Sequence, residues 1–186
     1  MDSAALAKPQ VDAMIKGAKI LIVDDEYYTR KVIRTLLLSV GFSNVHDAVD
    51  GVSGLEAVQS FAPDVVLLDW EMPGMDGAEF TRRVRSPNRF VYTNVPIIML
   101  TGHGERSRVL EAVRLGVHEF LLKPVSSNAL MVRIASVFSK PRPIVHRGDY
   151  YGPEPRQFST YKPDAGSYNL APEQVVDGSP ASRFFV

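Results

Sequence analysis

Short apolar runs alternate with longer amphipathic stretches from Lys19 onward. Most of these runs are almost continuously hydrophobic and rich in Val and Ile, the pattern of strands buried on both faces of a parallel sheet. The segments between them have helical spacing, with apolar side chains on one face of 26–40 and of 126–138. The predicted strands are KILIV (19–23), NVHDAV (44–49), DVVLL (64–68), PIIML (96–100) and EFLL (119–122).

Five strands that alternate with five helices predict an α/β fold with a doubly wound, five-stranded parallel sheet. In such a sheet, ligands bind outside the carboxyl ends of the strands. We therefore expect the chemistry of this protein in the residues that directly follow Val23, Leu68, Leu100 and Leu122.

The two ends of the chain lack this pattern. We predict an N-terminal extension over 1–17, one folded domain over 18–140 and a tail over 141–186. The tail holds seven of the 13 prolines and predicts an extended or partly disordered chain. Its aromatic residues are either scattered or dock on a surface. We expect partial order near 141–158, with Tyr150-Tyr151 as the anchor.

Charge and composition narrow the function classes. Lys and Arg together number 21, as do Asp and Glu, and this balance argues against a protein built to coat nucleic acid. The absence of cysteine excludes disulfides, thiolate nucleophiles and Cys-based zinc sites. No apolar run reaches the roughly 20 residues that span a bilayer, and no secretory signal is visible. We expect a cytoplasmic protein without membrane insertion.

Polar residues follow four of the predicted strands: Asp24 and Asp25, Asp69, Thr101, and Lys123. Two carboxylates about 4 Å apart repel by roughly 1 to 4 kcal/mol, depending on the effective dielectric constant, so three together need a cation. Magnesium takes oxygen ligands and leaves positions open for phosphoryl oxygens. The alternative for the acidic pair is a helix N-terminal cap.

The motifs DD (24–25), DWEMPGMDG (69–77), TG (101–102) and KP (123–124) together resemble the receiver domain of two-component response regulators, over roughly 18–140. The resemblance implies a flavodoxin-like (βα)5 fold and makes Asp69 the phosphoacceptor. It implies Mg²⁺ ligation by Asp25, Asp69 and the backbone carbonyl of Glu71, with Asp24 acting largely through water. It also implies phosphoryl binding by Thr101 and Lys123, a switch made of Thr101 and Phe120, and a cis Lys123-Pro124 bond.

The resemblance further implies a stand-alone response regulator. A sensor histidine kinase or phosphotransfer protein would donate the phosphoryl group, and a downstream protein would read the result without direct nucleic-acid binding. A homodimer is compatible with the sequence. The domain would catalyse only its own phosphorylation and dephosphorylation. One alternative is a hydrolase with an aspartyl-phosphate intermediate, in which Glu71 acts as acid and base. The other is a receiver that binds partners without phosphorylation.

Overall fold

The computed structural model describes residues 17–102 and 106–155. The N-terminal extension up to residue 16 and the tail after residue 155 lie outside these ranges. The strands of the main sheet are β1 (Lys19–Val23), β2 (Asn44–Ala48), β3 (Val65–Asp69), β4 (Ile97–Thr101) and β5 (Glu119–Leu122). The helices are α1 (Tyr27–Ser39), α2 (Gly51–Phe61), α3 (Gly77–Val84), α4 (Arg106–Leu115) and α5 (Ser127–Ser139).

The five strands form one parallel sheet in the order β2-β1-β3-β4-β5. The chain adds β2 on one side of β1 and then β3, β4 and β5 on the other side. The switch in direction lies between β1 and β3, whose carboxyl ends are next to each other. The predicted doubly wound α/β fold is confirmed. All residues of β3 and β4 are buried, as their unbroken apolar runs predict.

Successive side chains of each strand enter two different cores. Leu21 and Val23 pack with residues of α2, α3 and α4, whereas Ile20 and Ile22 pack with residues of α1 and α5. Helices therefore cover both faces of the sheet. Three helices begin at a side chain that accepts a backbone N–H: Asp50 for α2, Asp76 for α3 and Ser126 for α5. Among the described residues, no helix is both long and apolar enough to cross a membrane.

The chain after Lys140 is ordered within the range 141–158, where partial order was expected, but its strands were not predicted. The strands β6 (Ile144–Arg147) and β7 (Tyr150–Pro153) form an antiparallel hairpin that turns at Gly148, where φ is +58°. Each strand has only four residues, too few for an alternating pattern to stand out from the surrounding prolines and glycines.

The hairpin packs on the edge of the sheet opposite the carboxyl ends of the strands. Gly116 ends the turn after α4 with φ +87°, and a Cβ there would lie 2.9 Å from the carbonyl oxygen of Tyr151. The Tyr151 hydroxyl donates to Asn94 Oδ1 at 2.8 Å. Arg142 donates to the carbonyl oxygens of His118 and Glu154. These contacts join the hairpin to the segments that enter β4 and β5.

Candidate functional site

The acidic pair lies in the turn between β1 and α1. Asp24 is buried and Asp25 is exposed. The Glu26 N–H donates to Asp24 Oδ1 at 2.9 Å. Glu26 is the N-cap residue of α1 and no side chain caps the helix, so the acidic pair is not the N-terminal cap that the alternative expects. Arg30 donates to the carbonyl oxygens of Asp24 and Asp25 at 2.7 and 3.0 Å. These bonds fix the turn and leave the second oxygen of Asp24 for other partners.

Lys123 contacts the carboxylates that follow β1 and end β3 at the carboxyl edge of the sheet. Its Nζ lies 2.8 Å from Asp24 Oδ2 and 2.8 Å from Asp69 Oδ1. Burial raises the pKa of the Asp69 carboxyl, and the hydrogen bond from Lys123 only partly offsets this effect. Burial also acts to lower the pKa of Lys123, but its hydrogen bonds to Asp24 and Asp69 outweigh burial and raise it. Lys123 therefore remains a cation at neutral pH.

Three carboxylates converge at this point. Asp24, Asp25 and Asp69 each place an oxygen so that the three atoms lie within 4.8 Å of one another. Three carboxylates and the ammonium of Lys123 leave a formal charge of −2 when all are ionised. A divalent cation that prefers oxygen ligands matches both this charge and the donor atoms, and Mg²⁺ is such a cation. The residues present therefore fit the predicted magnesium.

Thr101 lies on β4, next to the strand of Asp69, and Phe120 lies on β5, one strand further along the sheet. Thr101 is buried at the end of β4, and its carbonyl oxygen accepts the Lys123 N–H at 2.8 Å. The Lys123-Pro124 bond is cis, so this expectation from the resemblance is confirmed. Phe120 lies opposite Met99 in the sheet and packs, partly buried, against the core on the α2–α4 side. The switch role of the pair stays a prediction.

Glu71 is set apart from the three carboxylates. Its side chain is 57% exposed, and its Oε1 lies 3.7 Å from Nη2 of Arg108. The same guanidinium lies 5.2 Å from the ring centre of Trp70, the buried residue that follows Asp69. The predicted metal ligand is the backbone carbonyl of Glu71, so the outward side chain does not conflict with that assignment.

Two residues of this site escaped the sequence analysis. Arg30 shares the buried face of α1 with Ile33 and Leu37, and a basic residue at an apolar-face position was the available signal. Gly77 begins α3 directly against the backbone of Asp69, where an added Cβ would lie 2.4 Å from the Asp69 carbonyl oxygen. In the sequence it was indistinguishable from an ordinary turn glycine.

We expect Gly77→Ala to destabilise the protein and to displace Asp69, the predicted phosphoacceptor. The new methyl group would also meet Trp70 Cα at 3.0 Å, and neither backbone atom can move without shifting the end of β3. Overpacking of this kind costs about 1–3 kcal/mol, and misplacing a reacting group by about 1 Å can lower a rate by about 100-fold. The measurements are urea denaturation and the initial rate of phosphorylation by acetyl phosphate.

Gly17→Ala is the control for this substitution, because no atom lies within 4 Å of a Cβ at Gly17. Unchanged stability and phosphorylation in Gly77→Ala would contradict the close approach of α3 to the end of β3.

The site and the fold agree with comparisons to known proteins. Residues 20–135, more than half of the chain, match the response regulator receiver domain. This protein belongs to that family. The chemotaxis protein CheY of Pseudomonas aeruginosa is 36% identical over 122 residues, which cover 66% of this chain and 97% of that protein. The chemotaxis protein CheY-3 of Vibrio cholerae is 32% identical over 125 residues, covering 67% and 95%.

Solved structures show the same architecture. The Vibrio cholerae chemotaxis protein CheY4 superposes on this receiver with a TM-score of 0.59 and 32% identity, covering 65% of this chain and 98% of that chain. A putative response regulator from Chloroflexus aurantiacus gives a TM-score of 0.61 at 28% identity, covering 67% and 100%. The chain is thus a signalling domain of the receiver type, and the family match ends at residue 135, before the hairpin.

Proposed function

We propose that this receiver is a single-domain response regulator that accepts a phosphoryl group on Asp69 with the help of Mg²⁺. The observation that carries the proposal is the position of Lys123, whose ammonium lies 2.8 Å from both Asp24 and Asp69 beside the exposed Asp25. A buried carboxylate next to a fixed cation and two further carboxylates is suited to bind a divalent ion and to attack an electrophilic phosphorus.

In the proposed reaction, an oxygen of Asp69 forms a bond to phosphorus while the bond from phosphorus to the donor atom breaks. The leaving group keeps that electron pair. Lys123 exchanges its contact with the free carboxylate for one with a phosphoryl oxygen, and Thr101 offers its hydroxyl to another. Asp25, Asp69 and the carbonyl of Glu71 would hold Mg²⁺, with Asp24 acting largely through water. When bound, the ion neutralises charge on the phosphoryl oxygens.

The proposal includes the partners of this reaction. A sensor histidine kinase or phosphotransfer protein is the donor, and a protein in the cytoplasm is the target. Recruitment of Thr101 to the phosphoryl group would leave space next to Phe120 on the neighbouring strand, and inward rotation of that ring would alter the surface of 105–138. A local change of charge would thereby bias a two-state element that a protein partner, or a second receiver in a homodimer, can read.

A hydrolase with an aspartyl-phosphate intermediate is the weaker candidate. It would need Glu71 as a general acid and base next to the phosphoryl group. The Glu71 side chain is instead more than half exposed and paired with Arg108, outside the group formed by Asp24, Asp25 and Asp69. Sustained turnover of small phosphate esters by the purified protein would favour this candidate over the receiver reaction.

We expect Mg²⁺ to raise the melting temperature of the wild-type protein in the absence of a phosphodonor. A ligand that binds only the folded state adds RT ln(1 + [L]/Kd), about 1.4 kcal/mol when its concentration is ten times Kd. Asp25→Ala should abolish the increase, because it removes the exposed carboxylate of the group. Differential scanning fluorimetry over a range of MgCl₂ concentrations measures the effect.

The control for the magnesium experiment is Glu56→Ala, which removes an exposed carboxylate from α2. This variant should keep the full increase in melting temperature. A wild-type melting temperature that stays constant into the millimolar range of Mg²⁺ would contradict the metal site.

A further inference from the structure

A basic residue lies beside the acceptor, in addition to Lys123. Arg108 is in the first turn of α4, with its guanidinium 5.2 Å from the ring centre of Trp70 and 3.7 Å from a carboxylate oxygen of Glu71. Trp70 and Glu71 are the two residues that follow Asp69. The cation therefore lies over the loop that leaves the acceptor strand, and no step of the proposed reaction has used it.

The guanidinium borders an open cavity of about 410 Å³. A space of this size falls within the range that admits small organic ligands. Its wall combines an indole ring, a proline, two carboxylates and one cation, so the cavity has both apolar and charged sides. The lining residues are Trp70, Glu71, Met72, Pro73, Asp76 and Arg108.

The ion pair of Arg108 with Glu71 is weak. The two side chains are 37% and 57% exposed, so solvent screens the attraction between their charges. The second resting contact is the cation–π contact with the ring of the buried Trp70, and 37% of the Arg108 side chain stays exposed beside it. An incoming dianion can compete with these contacts, because a guanidinium binds phosphate or carboxylate oxygens through two parallel hydrogen bonds.

The net negative charge of the site makes a further cation favourable for binding an anionic donor. Asp24, Asp25, Asp69 and Lys123 together carry a formal charge of −2, which bound Mg²⁺ would only neutralise. An anionic phosphodonor therefore gains little net attraction from these groups. Arg108, as a further cation at the open cavity, would attract the donor and contact the group that leaves when Asp69 attacks.

We propose that Arg108 is a specificity-determining residue that binds the anionic oxygens of acyl phosphate donors in the cavity lined by the loop after Asp69, and that Glu71 competes with the donor for Arg108. The inference rests on the proposed function of Asp69. With acetyl phosphate, an Asp69 oxygen bonds to phosphorus as the bond from phosphorus to the acetyl oxygen breaks. Acetate leaves with the electron pair, and no proton is transferred. Arg108 contacts donor oxygens throughout and takes no part in the bond exchange.

The test compares two small donors with the full-length protein at saturating Mg²⁺. Acetyl phosphate carries more negative charge at neutral pH than phosphoramidate. We expect Arg108→Gln to lower the initial rate of Asp69 phosphorylation by acetyl phosphate about tenfold, equal to about 1.4 kcal/mol, with a clearly smaller loss for phosphoramidate. Glu71→Gln, which keeps the backbone carbonyl, should raise the rate with acetyl phosphate. The variant that carries both substitutions should have the same rate as Arg108→Gln, because Glu71 no longer has a guanidinium for which it competes with the donor.

Arg114→Gln removes an equivalent charge from the exposed last turn of the same helix and should leave both rates unchanged. Trp70 is the sole tryptophan, so its fluorescence reports whether Arg108 lies over the ring before donor is added. Equal losses with both donors, or a wild-type rate in Arg108→Gln, would overturn the role of Arg108 while phosphorylation of Asp69 stands. A wild-type protein that accepts no phosphoryl group would overturn both.

Discussion

Asp69→Asn should accept no phosphoryl group from acetyl phosphate in the presence of Mg²⁺. The asparagine amide is a poor nucleophile, and the neighbouring carboxylates cannot replace Asp69. One oxygen of Asp24 is bound by the Glu26 N–H and the other by Lys123. Asp25 is exposed rather than held against Lys123. Intact-mass spectrometry of the wild-type and variant proteins measures the expected complete loss.

The same substitution should leave the domain folded. The raised pKa of Asp69 shows that burial disfavours its ionised form, so the neutral amide removes a cost of folding at neutral pH. Lys123 keeps Asp24 as its partner at 2.8 Å. A thermal melt of Asp69→Asn therefore separates loss of the acceptor from loss of the fold. Undiminished phosphorylation of the variant would refute the assignment of Asp69.

Arg85→Met should destabilise the protein by about 3 kcal/mol. The buried guanidinium donates to the backbone carbonyl oxygens of Thr93, Val95 and Gly116, and Met offers no donor. Each buried acceptor left without a partner costs about 1–3 kcal/mol. Against this, burial lowers the pKa of Arg85 to about 10, so removing the buried charge stabilises the folded state by about 3 kcal/mol. The three lost hydrogen bonds outweigh that gain.

The measurement for Arg85→Met is the free energy of unfolding from urea denaturation. Arg89→Met is the control, because Arg89 is exposed on the same loop, and surface substitutions usually change stability by less than about 0.5 kcal/mol. If Arg85→Met lowered the free energy of unfolding no more than the control does, the three carbonyl groups would have found other donors.

The main sheet was predictable because its central strands are buried on both faces. A run such as VVLL has few alternatives to a central parallel strand, and the alternation of strands with amphipathic segments indicates a doubly wound sheet. The predicted bounds of β3 and β4 were one residue early, since the ladder extends to Asp69 and Thr101. Apolar periodicity carries no information about hydrogen bonds made by a polar residue at a strand end.

The candidate site was predictable to the extent that it depends on strand ends. Parallel strands bring their carboxyl ends to one edge, which places Asp24, Asp69 and Lys123 together without knowledge of any distance. Long side chains that reach across elements were not predictable. Arg108 and Arg30 each contact residues from another element or turn, and their sequence spacing gives no sign of it.

The position of the hairpin could not be predicted from local sequence patterns. Its position depends on Gly116, against which the Tyr151 backbone packs, and on Asn94, whose Oδ1 accepts the Tyr151 hydroxyl. Neither residue is close to β6 or β7 in sequence. Tyr150 and Tyr151 were predicted as the anchor of the tail because they are adjacent aromatics close to the end of the last helix. The described part of the tail shows what they contact, whereas a local pattern could indicate only that they needed partners.

The position of the phosphoryl group tests the central claim most directly. The wild-type protein is treated with acetyl phosphate and Mg²⁺ and then with borohydride, which reduces an aspartyl phosphate to homoserine. Peptide mapping by mass spectrometry then identifies the converted residue. The proposed function predicts homoserine at position 69 alone. Homoserine at position 24 or 25, or no conversion despite bound Mg²⁺, would contradict it.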